Sequence, residues 1–260
     1  MNIIREEVDI IFLTHNQSEM SLKCLDALKE NTHYPFRLIW IDNGSDLEHY
    51  ENVREKVSKF ENIGFRFDVN RFYARAVNQG IILSSAKYVV TLSNDVFVTD
   101  NWLSKLVSVM ENYPKVGLLS PLTDNIGSPA PNAREAIAQF NLPVNGGSPE
   151  QINRLKERFG NCLDLVSMFC AMIRREIIEK VGLLDERFFI LANDDDYCDR
   201  VRLAGYETGV CLNCFVYHKH EATKNAVFRP GSSERMAIKR DHQALLREKR
   251  RERAITGRLD

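Results

Sequence analysis

Short apolar runs that end in small polar clusters, with stretches of helical spacing between them, constrain this chain more than any other feature. Val8 to Thr14 (VDIIFLT) and Phe36 to Ile41 (FRLIWI) are two such runs, and Lys87 to Leu92 (KYVVTL) is the strongest. Runs this short, closed by turn residues, fit strands buried on both faces. Between the first two, Ser18 to Glu30 sets Met20, Leu22, Cys24, Leu25 and Leu28 at roughly helical spacing, with Ser18 at the start and Pro35 beyond the end. A helix from about Leu47 to Phe60, a short strand near Phe65 to Val69 and a helix near Ala74 to Ser84 continue the alternation. The expected fold class is therefore α/β, a mostly parallel central sheet flanked by helices. Ligands of such sheets bind beyond the carboxyl ends of the strands.

Those ends carry the polar clusters: Thr14-His15-Asn16 after the first strand, Asp42-Asn43-Gly44-Ser45 after the second, and Ser93-Asn94-Asp95 after the strongest. Each alone is an ordinary turn. Three at the same edge of one sheet mark a site, where Asp42 suits hydrogen bonding to a base or ribose and Gly44 lets backbone approach a ligand. The polar, Pro- and Gly-rich segment Thr123 to Pro149 has little periodicity; a loop that long is either disordered or a functional lid, and it reads as the variable acceptor-side region. Order resumes with Leu163 to Ile173, a helix from Arg175 to Val181, an acidic cluster, a helix from Asp195 to Ala204 and an apolar strand from Val210 to Tyr217.

Composition excludes several classes. The 260 residues are 44% hydrophobic and 27% charged with a formal net charge of -1, which argues against a dedicated nucleic-acid binder. The six cysteines are scattered, and Met1 to Glu7 carries Arg5, Glu6 and Glu7 instead of a secretory apolar region, so the expected setting is cytoplasmic with reduced thiols. Cys211 and Cys214 form a lone C-x-x-C in a stretch of strand character, where residues three apart point to opposite faces, against a zinc or redox role. No apolar run reaches the roughly 20 residues of a membrane span. From Lys224 onward 11 Lys or Arg face 5 Asp or Glu. This basic end reads as a solvated or partner-docking helix; its sparse stripe of Met236, Ile238, Leu245 and Leu246 leaves peripheral contact with the inner face of a membrane as the lesser reading.

In order along the chain, the motifs resemble those of the inverting, metal-dependent GT-A glycosyltransferases, in the large family that includes bacterial rhamnosyl- and N-acetylglucosaminyltransferases. Thr14-His15-Asn16 is similar to its T-Y-N, Asp42 to Ser45 is its D-N-G-S, and Asn70 to Gly80 resembles its N-x-G-F-A-x-A-x-N-x-G. Ser93-Asn94-Asp95 stands at its D-x-D or N-N-D triplet, Val181 to Phe189 at its V-G-x-F-D-E-x-F-F, and Asn193 to Tyr206 at its E-D-x-D-x-C-x-R-x-R-x-A-G-Y. Ser93, Asn193 and Phe72 depart from the usual Asp, Glu and Gly.

The resemblance implies a GT-A domain over residues 1–223, with a nucleotide-binding half (1–100) and an acceptor-binding half (101–223), followed by the basic extension 224–260. It implies a nucleotide-diphospho-sugar donor, contacted by Thr14, Asn16, Asp42, Ser45, Asn70, Arg75, Asn78 and Asn94, and a glycan or small-molecule acceptor, contacted by Asp195 and Asp196. A divalent cation, Mn2+ or Mg2+, is expected on Asp95 and His218, with His220 the other candidate, and Asp194 is the expected general base. Asp42 suits the imide N–H of uracil or thymine, which favours UDP or dTDP donors. No nucleophile for a double displacement is evident, so the expected outcome is inversion. Two rivals stand beside this reading: a noncatalytic binding module of the same fold, and a sugar nucleotidyltransferase, which would normally carry a Gly-rich phosphate loop where His15 to Glu19 stands.

Overall fold

The computed structural model describes residues 7–123, 166–189, 191–219 and 232–259. The acceptor-side segment expected between Thr123 and Asn161 lies almost wholly outside these residues, as does His220.

The strands are β1 (Val8–Thr14), β2 (Arg37–Asp42), β3 (Asn62–Arg66), β4 (Tyr88–Ser93), β5 (Val96–Val98), β6 (Val116–Thr123), β7 (Cys170–Arg174) and β8 (Glu207–His218). The helices are α1 (Ser18–Asn31), α2 (Leu47–Val57), α3 (Phe72–Leu83), α4 (Trp102–Asn112), α5 (Arg175–Val181), α6 (Asn193–Leu203) and α7 (Ser233–Thr256). All eight strands join one sheet in the order β3-β2-β1-β4-β7-β6-β8-β5. The first four are mutually parallel. β7 enters antiparallel between β4 and β6, and β8 then pairs parallel with β6, so the ends of β1, β2, β4 and β8 point to one edge.

Both sheet faces are buried, which is why β1 reads as an unbroken apolar run. Ile10 and Phe12 pack on the side of α1, α2 and α4, while Ile11 and Leu13 pack on the side of α3, α5 and α6.

The position of β5 requires the sheet to curl. Two residues, Asn94 and Asp95, separate β4 from β5, yet β7, β6 and β8 lie between them in the sheet. Four strand spacings of a flat sheet cover about 19 Å, whereas the three-residue step from Ser93 to Val96 spans at most about 11 Å. The far edge therefore returns toward the end of β4. There Val96 pairs with His218, and the Lys219 amide donates to the Asp95 carbonyl at 2.9 Å.

The basic terminal helix folds onto its own chain. Ser232 caps α7, its hydroxyl accepting from the Arg235 amide at 3.2 Å, and His242, Leu246, Lys249 and Arg253 are buried. The expectation of a solvated helix is corrected for its central residues, whose cations meet carboxylates of the same chain. Lys249 Nζ lies 2.6 Å from Asp185, and Arg253 Nη2 lies 2.6 Å from Asp196. Among the described residues, no helix is long and apolar enough to cross a membrane.

His242 is 4% exposed, edge-on to Phe188 and Phe189, with Nδ1 accepting from the Leu191 amide at 3.3 Å. Burial pushes its pKa below the ordinary 6.5. A depressed folded pKa means the unfolded chain binds the proton more readily, so this contribution to stability is complete above pH 6.5 and is lost as pH falls through the folded value. The thermal midpoint should consequently drop more steeply for the native chain than for His242→Gln as the buffer is taken below about pH 6.5. Parallel melting curves would contradict this.

Candidate functional site

The carboxyl edge of β1 and β2 forms a hydrogen-bonded cradle centred on Asp42. This carboxylate is 1% exposed. Its Oδ1 accepts from Thr14 Oγ1 at 3.2 Å and from the Ser45 hydroxyl, and its Oδ2 accepts from the Ser45 amide at 3.2 Å and faces Arg66 Nε at 3.3 Å. With four donors already on two oxygens, Asp42 acts within the protein as an organiser of the cradle, and a base would have to displace one of them. Thr14 Oγ1 also accepts from Trp40 Nε1 at 2.9 Å. Asn16 crosses the cradle: its amide donates to Ser45 Oγ and its Oδ1 accepts from the Asp46 amide, both at 2.8 Å.

Gly44 makes the turn possible. Its φ is +74°, and a Cβ there would sit 2.3 Å from the Val69 carbonyl carbon and 2.5 Å from the Asn70 nitrogen. This close approach lets Asn43 and Asn70 join the two loops. Asn43 Nδ2 donates to Asn70 Oδ1 at 3.0 Å, Asn43 Oδ1 accepts from the Arg71 amide at 2.8 Å, and Asn70 Oδ1 accepts from the Phe72 amide at 2.8 Å. Phe72, where the resembling motif has glycine, keeps a left-handed φ of 61°. The hydrogen bond its amide donates to Asn70 Oδ1 and a ring contact with Phe189 at 4.8 Å hold it there.

Asp95 and His218 meet at the curled edge. Oδ1 of Asp95 lies 3.5 Å from Nε2 of His218, their side chains are 8% and 7% exposed, and the imidazole stacks on Phe169. Two donors each roughly 2.1 Å from one ion stand about 3.0–3.5 Å apart. The pair therefore fits a divalent cation in both spacing and chemistry, as one hard oxygen and one imidazole nitrogen. No group of three or more His, Cys, Asp or Glu able to hold a metal occurs among the described residues. Cys211 and Cys214 are buried free thiols.

The acidic cluster opens α6. Asn193 Oδ1 accepts from the Asp194 amide at 2.9 Å, and Asp194 Oδ1 from the Asp195 amide at 3.2 Å, so two N–H groups of the first turn are met by neighbouring side chains, while Ala192 at the cap makes no side-chain bond. Asp195 is partly exposed, and burial raises its pKa, against the lowering effect of Arg250. Asp196 does not fit the expected contact with acceptor hydroxyls. It is 0% exposed, with Oδ2 held by Arg200 Nε at 2.9 Å and Oδ1 by Arg253 Nη2 at 2.6 Å.

Asn78, expected at the donor sugar, is likewise turned to the protein: Nδ2 donates to the Leu184 carbonyl at 2.9 Å and Oδ1 accepts from the Leu184 amide at 2.9 Å. It ties α3 to the turn before α6. Arg75 is half-exposed near Glu186, at 3.7 Å. Asn94 is buried, its amide donating to Ser21 Oγ at 2.9 Å.

Tyr73 stands in the first turn of α3, and sequence reasoning gave it no role. Its hydroxyl donates to the Met168 carbonyl. Burial raises its pKa, and the negative charges of Asp194 and Asp95 add to the rise. Nothing in the residue pattern marked it beyond its place in the Asn70 to Gly80 run.

The fold is that of the GT-A glycosyltransferases. A mannosyltransferase, PcManGT, from Pyrobaculum calidifontis, solved with GDP-Man and Mn2+, superposes with a TM-score of 0.66 at 16% identity, over 93% of this chain and 63% of that one. GalNAc-T7, solved with UDP, GalNAc and Mn2+, superposes with a TM-score of 0.62 at 15% identity, over 82% of this chain and 43% of the other. Among sequences, an N-acetylglucosaminyl-diphospho-decaprenol L-rhamnosyltransferase of Mycobacterium tuberculosis is 25% identical over 82% of this chain and 76% of its own length. The O-antigen chain rhamnosyltransferase RfbN of Salmonella typhimurium is 25% identical over 86% of this chain and 69% of its own. The sequence pattern that defines glycosyl transferase family 2 matches residues 9–182. On that match, carried by the cradle, the Asp95 turn and the α3 loop, the chain belongs to glycosyl transferase family 2 and is a glycosyltransferase.

Proposed function

We propose that this chain is a metal-dependent, inverting enzyme that moves a sugar from a nucleotide-diphospho-sugar, with UDP or dTDP as its nucleotide, to an acceptor hydroxyl in glycan or cell-envelope polysaccharide synthesis. The observation that carries the reading is the Asp95–His218 pair at the curled carboxyl edge of the sheet, whose 3.5 Å spacing suits a divalent cation. Asp95 and His218 would hold the cation, which when bound supplies positive charge for the diphosphate leaving group. Asp194 takes the proton of the attacking hydroxyl. Asn16, Ser45 and Asn70 shape the cradle for the nucleotide, with Arg75 toward the diphosphate and Asp195 toward the acceptor. Similarity to two rhamnosyltransferases supports deoxyhexosyl donors as the first to try.

The test is calorimetric titration with UDP, dTDP and GDP, each with Mn2+ and each with a chelator. One of the pyrimidine nucleotides should bind at least about tenfold more tightly with Mn2+ than with chelator, and Asp95→Asn should remove the difference. Metal-independent binding would overturn the cation role. Absence of binding to all three would favour a noncatalytic module of the same fold.

A further inference from the structure

We infer that the C-terminal helix α7 is a positioning element of the transfer site, and that Arg253 is the residue through which it fixes the carboxylate turn at the start of α6. The inference rests on the proposed reading of Asp194 as the base.

One face of α7 meets four carboxylates from the two segments that frame the turn. Lys249 reaches Asp185 at 2.6 Å, Arg250 reaches Asp199 at 2.6 Å and Asp195 at 3.9 Å, and Arg253 reaches Asp196 at 2.6 Å. Asp196 is gripped from both sides, by Arg253 on Oδ1 and by Arg200 on Oδ2. Two buried guanidinium groups thus share one carboxylate, and three of their N–H-bearing nitrogens, Arg253 Nε and Nη1 and Arg200 Nη2, are buried without a hydrogen-bond partner. A buried bridge with surplus donors is a poor way to add stability, because desolvation offsets the attraction; its better-attested use is to fix register.

The register fixed here is that of the catalytic turn. Asp194 stands two residues before Asp196 on the same first turn of α6, and Asp195 N–H is hydrogen-bonded to Asp194 Oδ1. Rotation of Asp196 therefore moves Asp194 with it. The same helix also reaches the donor side: His242 packs edge-on against Phe189, the Phe189 ring meets Phe72, and the Phe189 carbonyl accepts from the Tyr73 amide. One helix thereby ties the base turn to the start of α3.

The test compares the full chain with Arg253→Gln, Arg253→Lys, and Arg251→Gln as a solvent-facing control on the same helix. Amide hydrogen exchange is read without ligand, UDP and dTDP affinity by calorimetry, and turnover as nucleoside diphosphate released from dTDP-L-rhamnose and UDP-N-acetylglucosamine with Mn2+. For Arg253→Gln, exchange over residues 191–199 should quicken at least tenfold while β1 to β4 are unchanged. Turnover should fall about 100-fold, the cost of a base displaced by about 1 Å, with nucleotide affinity kept. Arg253→Lys should recover most of both, and Arg251→Gln should match the native chain. Unaltered exchange at 191–199, or loss of nucleotide binding in step with global unfolding, would overturn the inference. Asp194→Asn, run in parallel, separates the two ideas: if that variant still turns over while Arg253→Gln is loosened, the base assignment fails and the positioning of the turn stands.

Discussion

Asp194→Asn is expected to slow sugar transfer by about a thousandfold, the size of a lost general base, and to leave nucleotide affinity unchanged. The substitution is nearly isosteric. Its side-chain oxygen can still accept from the Asp195 amide, and Asn193 still caps the residue from the other side, so the start of α6 keeps its shape. What disappears is the negative charge that accepts a proton as the acceptor oxygen attacks. Initial rates at saturating donor, set beside calorimetric affinity for the nucleotide, check both halves of the expectation. Turnover within tenfold of the native chain would remove Asp194 from the mechanism, whereas matched losses of rate and affinity would make it a structural residue.

The second large effect is expected at Gly44. A side chain there faces a left-handed φ of +74° and a Cβ position 2.3 Å from backbone carbon of Val69 and 2.5 Å from the Asn70 nitrogen. Backbone cannot swing aside as a flexible side chain can, so Gly44→Ala must push the loop before α3 away from the end of β2. Strain at such a position combined with overpacking costs about 3 kcal/mol or more. The displaced loop carries Asn70, so the link from Asn43 to Asn70 is lost as well. Chemical denaturation should show the stability loss, and calorimetry the loss of nucleotide binding. Gly64→Ala is the matched control, since its Cβ would meet only the Trp40 ring at 3.7 Å. Equal behaviour of the two variants would refute the argument.

Much of the nucleotide-binding half was legible because its signals are local. Val8–Thr14 is the strand its apolar run indicated, and α1 ends one residue beyond the expected Glu30. Residues 101–123 drew no assignment, yet they form α4 and β6. Their apolar residues serve a sheet edge completed only by β8, a pairing distant in sequence. The short β5 went unseen for the same reason, since three residues acquire strand geometry only against Tyr217 and its neighbours.

At the site, Asp95 and His218, which the resemblance implied would share a cation, lie 3.5 Å apart. Sequence could not tell a ligand-facing polar residue from one whose hydrogen bonds are consumed internally. Asp42, Asn78 and Asp196 are all polar, all in motifs, and all turned into the protein by partners that only the fold brings near. The terminal helix misled in the same way. Its surplus of positive charge suggested solvent or a foreign surface, and the carboxylates it actually meets sit some fifty residues earlier.

The curl of the sheet has a bearing on how the enzyme comes into being. Thr14, Asp42 and Asn70 have all been synthesised by the time β4 is complete, whereas His218 arrives with β8 and Arg253 near the end of the described chain. Domains generally fold as units. The core that holds β1 and β4 is shared with Cys211, Cys214 and Val216 of β8, so it is complete only once the far edge of the sheet has been made.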